Sequence, residues 1–184
     1  MIELYRAMIP SNYIINDNHG QHYKVHMGCL DFLTKQFERI LNNEEEAPGN
    51  FKIPSINELS NYLGIDINLE NNVLSYDNDK YPLIDIICEV WRPIHRRFDP
   101  QNYAKTFKAP IDLLTKYGYI IDDNWQYINS ITYKGGGPSV WDKRHFAYNN
   151  DNLPKELDIN WWNSYSDYTG DIFIRIMINK VNKF

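Results

Sequence analysis

Cysteine is scarce in this chain: Cys29 and Cys88 are the two among 184 residues. Both sit in apolar surroundings, without the paired spacing of a zinc site, so a disulfide-dense scaffold and a structural zinc site are excluded. They read as reduced core residues of an intracellular, cytoplasmic protein. Long hydrophobic runs are also missing. Nothing approaches the roughly 20 apolar residues of a membrane span, and the N-terminus lacks the basic-then-apolar pattern of a secretory leader. No membrane partner is expected. Excess basic charge is lacking as well, with a net charge of −5. That excludes unspecialised nucleic-acid binding, in which many lysines and arginines neutralise phosphates. Gly135-Gly136-Gly137-Pro138 follows Lys134, but no Lys-Ser or Lys-Thr comes after it, so a Walker-type phosphate loop is excluded too. There is no internal repeat.

Aromatic residues are plentiful, with 14 Tyr and 5 Trp, and the hydrophobic fraction of 43% can fill one core. One domain over 1–184 is expected. Residues 2–9 read as a strand closed by Pro10. A polar loop follows, with Asn18-His19-Gly20-Gln21-His22-Tyr23 at its end. Residues 23–43 read as a helix, with Leu30, Leu33, Phe37 and Leu41 on one face. Glu44 to Gly49 has the composition of a linker. Ser55 and Glu58 match a capping box opening a short helix that ends near Gly64. An Asn/Asp-rich stretch with a short strand at 72–76 comes next. Segment 44–80 reads as an insertion or arm. Strands are predicted over 83–91, 125–133 and 171–179, because apolar residues alternate there. The fold class is α+β: a mixed or mostly antiparallel sheet packed by two main helices.

The stretch from Arg96 to Asp123 organises the rest. Asp99 can cap a helix by accepting from its first free N–H groups, and Pro100 suits the first helical position. Lys116 falls in the last turn, and Gly118 can end the helix in the left-handed conformation. Tyr103, Phe107, Ile111 and Leu114 make one apolar face. Lys105, Lys108 and Asp112 fall within about 60° of one another on the other side. Pro110 should kink the helix or cost it a hydrogen bond near Thr106. Beyond the end stand Asp122 and Asp123. Phosphodiester cleavage needs a hard divalent ion on carboxylate oxygens, with a cation to offset developing negative charge. Asp99, Asp122, Asp123 and Asp112 are the candidate oxygen donors, and Lys105 or Lys108 the cation. Turn and cap chemistry by itself also favours Asp at 99, 122 and 123.

Arg97, Asp99-Pro100, Asn102, Lys108, Asp112, Leu114, Gly118 and Asp122-Asp123 together resemble the RusA family of Holliday-junction resolvases. That resemblance implies a small homodimeric endonuclease, often phage-encoded, which uses Mg²⁺ (or Mn²⁺) to cut branched DNA in recombination and repair. It implies that Asp99, Asp122 and Asp123 hold the metal. Asp99 and Asp123 would be catalytic along with a lysine, Lys105 counting forward from Asn102 or Lys108 counting back from Asp112. Arg96, Arg97, Asn102 and Lys105 would bind the DNA backbone.

Gln101 stands where the family has its second aspartate. A neutral amide is a weaker metal ligand and no base. A second reading therefore stays open: a catalytically impaired relative that binds DNA, or a protein partner through 44–80 or 134–170. Trp141, Trp161 and Trp162 in the latter segment could stack on bases or pack an interface.

Overall fold

In a computed structural model, the structure describes residues 1–15, 22–42, 52–91, 99–135 and 172–181. Its elements are β1 (Ile2–Ile9), α1 (His22–Leu41), α2 (Ile56–Leu63), β2 (Asn68–Glu70), β3 (Val73–Ser75), β4 (Ile84–Trp91), α3 (Ala104–Lys116), β5 (Ile128–Gly135) and β6 (Ile172–Lys180). The main sheet has the order β1-β6-β4-β5. β6 runs antiparallel to both of its neighbours, and β5 runs parallel to β4. The fold is therefore α+β with a mixed sheet.

The alternation in β4 and β6 decides which side faces the helices. Ile84, Ile86, Cys88 and Val90 are buried, as are Ile174, Ile176 and Ile178 of β6. Cys88 lies beside Tyr133 in the β4–β5 register, and the Tyr133 ring meets Phe107 of α3 at 5.8 Å. So α3 covers this face, as the return limb of a β4–α3–β5 crossover. α1 packs alongside α3: Phe37 stacks on Tyr117 at 4.6 Å and meets Tyr119 edge-on at 5.7 Å. Both cysteines are free and buried. Burial pushes the Cys29 thiol up to about 12 and the Cys88 thiol higher than its ordinary value, so neither is a thiolate near neutral pH.

β6 is central and is covered on both faces, which explains why Phe173 and Met177 are buried as well. On the face away from the helices the charges are matched. Arg6, 2% exposed, donates to Glu3 at 2.6 Å. Arg175 reaches Glu89 at 2.8 Å and Glu3 at 3.7 Å, and its guanidinium lies over the Trp91 ring. A buried arginine without these carboxylates would cost several kcal/mol, of order 3–5.

The capping box at α2 forms as expected. The Ser55 hydroxyl accepts from the Glu58 N–H at 3.2 Å, and Glu58 accepts from the Ser55 N–H at 2.8 Å. Gly64 ends the helix at φ 74°. Leu59, Leu63, Ile65 and Leu74 belong to the same core as the sheet, so the described part of 44–80 packs into the domain. The expected single strand at 72–76 is one arm of the β2–β3 hairpin. Its two turn residues, Asn71 and Asn72, take positive φ of 50° and 63°. A tight hairpin requires this, and asparagine tolerates it better than most residues. The Leu74 N–H donates to the Tyr117 carbonyl at 2.9 Å. That contact leaves no room at Gly118 (φ 78°), where a Cβ would run into the Leu74 carbonyl.

The strand expected over 125–133 begins at Ile128. Asn124 is the reason: its side chain accepts from the Gln126 N–H, and its carbonyl accepts from Tyr127 and Ile128. Trp125 and Tyr127 therefore sit in a turn despite their alternation. The linker, the Gly-rich stretch after Gly135, and Trp141, Trp161 and Trp162 lie outside the described residues.

Candidate functional site

The motif helix begins as a 3-10 turn, Pro100–Tyr103, and becomes α-helical at Ala104. Asp99 caps it: one carboxylate oxygen accepts from the Gln101 N–H at 3.0 Å. The Asp99 carbonyl also accepts from the Asn102 N–H at 3.1 Å. Asp99, Gln101 and Asn102 are all exposed. Tyr103, Phe107, Ile111 and Leu114 are buried as the spacing requires. Pro110 is buried within α3, which continues through it to Lys116. Thr106 is also buried, and its hydroxyl accepts from the Ile15 N–H at 3.0 Å, fastening the N-terminal loop to the helix. Lys105 and Lys108 are both exposed. Lys108 pairs with Asp112 at 3.3 Å. Asp112 in turn holds His26 of α1 through Nε2 at 3.1 Å.

His26 is a residue the sequence reading passes over. It lies on the stripe of Leu30, Leu33 and Phe37, and a polar residue on an apolar stripe is the signal that would have found it. Its Nδ1 is buried and meets no hydrogen-bond partner among the described residues.

The two closing aspartates differ. Asp122 uses both oxygens to hold its turn, accepting from the Asp123 N–H at 2.7 Å and from the Asn124 side chain at 2.7 Å. Asp123 is exposed and spends no carboxylate oxygen on that turn. Of the pair, Asp123 is the one whose side chain is left for a ligand.

The two halves of the motif stand at opposite ends of the fold. The 3-10 turn that Asp99 caps packs on β5 and β4. It leads into the end of α3 where Phe107 meets Tyr133, near the finish of β5. Asp122 and Asp123 precede the turn whose Tyr127 carbonyl accepts from Ile84, the first residue of β4. Between them runs the thirteen-residue α3, about 20 Å long at 1.5 Å per residue. Among the described residues no group of three or more His, Cys, Asp or Glu side chains stands close enough to hold a metal ion. Arg96 and Arg97 lie outside the described residues, and no described helix is long and apolar enough to cross a membrane. No protein-family model matches the chain, and no curated protein matches it.

Proposed function

We propose that this chain is a RusA-like endonuclease that cuts four-way junctions or other branched DNA. The observation that carries the reading is the way the motif is spent. Its apolar positions build the core, and Gly118 and Asp122 build turns. Asp123, Asn102, Lys105 and Lys108 remain exposed, with Lys108 paired to Asp112. Carboxylates and amines that both face water are the groups phosphodiester chemistry uses, where one orients water or metal and another offsets charge on phosphate. Mg²⁺ or Mn²⁺ is the expected cofactor.

The test is cleavage of a labelled synthetic four-way junction beside a matched linear duplex, with Mg²⁺ and with EDTA. Paired, metal-dependent nicks in the junction alone are expected. Asp123→Asn should lower the rate by at least about 100-fold without changing the circular dichroism spectrum. Unchanged turnover in this variant removes Asp123 from the mechanism.

The neutral Gln101 beside Asp99 favours one alternative, an impaired nuclease retained as a binding scaffold. Gln101→Asp separates the two. A gain of cleavage from an inert parent supports the scaffold, and an active parent that gains nothing refutes it.

A further inference from the structure

Helices α1 and α3 run in the same direction, as three contacts taken in chain order require. The Ile15 N–H, ahead of α1, donates to Thr106 in the first turn of α3. His26, near the start of α1, meets Asp112 at 3.1 Å. The Tyr117 hydroxyl, just past α3, donates to Glu38 in the last turn of α1 at 2.8 Å. One turn back from the His26–Asp112 contact, the turn of Tyr23 and Lys24 on α1 therefore lies beside that of Lys108 on α3, with Lys105 one turn further along. All four side chains are exposed, Tyr23 at 75% and Lys108 at 60%. Residues 22–27 and 104–112 hold these three lysines and one acid, Asp112, which is spent on Lys108 and His26. In a chain of net charge −5 this is a local excess of positive charge. An aromatic ring stabilises a fold by being buried, and the Tyr23 ring stands in water.

We infer that this surface binds unpaired nucleotides of a DNA strand, with Tyr23 stacked on a base and Lys24, Lys105 and Lys108 set against the phosphates around it. The inference deepens the endonuclease reading and rests on it for the choice of DNA among polyanions. The ring is what selects an unpaired stretch. A duplex hides its base faces against one another and offers phosphates and base edges. Lysines alone would suit any such duplex. An aromatic side chain gains only where a base face is open. A ring set among lysines thus suits a strand whose bases have come apart, as at the crossover of a branched substrate. Every base has a π-face, so the Tyr23 contact carries no strong sequence preference. Lysine meets phosphate as a point charge on a flexible stem, which suits a strand without fixed geometry.

Binding of a labelled oligothymidylate in EDTA tests this without cleavage. Tyr23→Ala should weaken binding by about 10-fold or more, and Tyr23→Phe should bind as the parent does, since stacking needs the ring and not the hydroxyl. Neither should change the affinity for an abasic strand of the same length, whose phosphates remain. Lys24→Gln and Lys108→Gln should each lower the slope of log affinity against log salt by about 0.7. Lys35→Gln, on the far half of α1 at a lysine paired with Asp31, should leave the slope as it was.

A parent that does not bind the oligothymidylate, or a Tyr23→Ala variant that binds it as the parent does, overturns the inference. So does an equal loss by Tyr23→Ala on the abasic strand, because the ring then only supports the helix. So does binding of polyglutamate with the same dependence on Tyr23, which would make this a surface for acidic peptides. The endonuclease reading fails separately. A parent that binds as expected and cuts no junction in Mg²⁺ keeps the strand-binding surface and loses the cleavage. One that cuts the junction without binding the single strand keeps the cleavage and loses the surface.

Discussion

The β1 and β5 edges of one sheet carry different sequences because they meet different surroundings. Leu4, Tyr5, Ala7 and Ile9 of β1 are fully buried, and Arg6 is held against Glu3. Of β5, only Ile128 is buried, and Asn129 and Ser130 face water while bonded to Asp85. Propensity alone makes both segments strands. What separates them is how much of each side chain the fold consumes. A residue the fold has consumed is under stability constraint, and one left over is available for contact with another molecule.

The largest expected effect comes from putting the same charge on each edge. Ala7→Lys places an unpaired ammonium in the core and should cost more than about 3 kcal/mol, leaving little folded protein. Ile131→Lys should change stability by no more than about 0.5 kcal/mol. Urea titration reads both effects. A β5 variant that unfolds would show this edge to be structural after all.

Next in size is the loss of polar groups. Arg6→Ala strands Glu3 with the more distant Arg175 and should cost roughly 3 kcal/mol. Ser130→Ala removes an exposed hydrogen bond to Asp85 and should fall within about 0.5 kcal/mol of the parent. Equal losses would erase the contrast.

Alkali gives the most graded effect. Burial holds the Tyr117 and Tyr119 hydroxyls up to about 12, and for Tyr117 the hydrogen bond to Glu38 adds to it. In the unfolded chain tyrosine titrates near 10. Their stabilising effect is therefore intact below about pH 10 and is lost as pH rises from there toward 12, because the unfolded state releases these protons first. The loss of circular dichroism should bring a further rise in tyrosinate absorbance, beyond that of tyrosines exposed in the folded protein. The half-buried Tyr133 on β5 is raised as well, mainly by burial. Absence of that further rise at unfolding would mean that Tyr117 and Tyr119 are open to water.

Much of this fold was legible in the sequence because local rules and tertiary packing agreed. Ile172 to Ile178 alternate as a two-sided strand, Asp99-Pro100 starts a helix, and Gly64 and Gly118 stop helices at positive φ. The turn at Trp125 was not legible, because its cause is the side chain of Asn124 bonding two residues onward. The polar stripe of α3 could be read, but the contact of Asp112 with His26 could not, since that depends on how α1 crosses α3. The separation of the motif halves was legible, because Asp99 was placed at the start of a helix and Asp122 and Asp123 beyond its end, and α3 runs between them.

The sheet order also bears on synthesis. Ile9 pairs with Ile172, and Ile2 with Ile178. Among the described residues, a nascent chain on the ribosome thus carries β1 with only the bridge between Arg6 and Lys52 beside it until β6 has been translated. β4 has only β5 beside it over the same interval. Contacts this remote in sequence fold slowly, so the apolar strands Leu4–Ile9 and Ile84–Trp91 are the segments a chaperone would meet while β6 is still inside the exit tunnel.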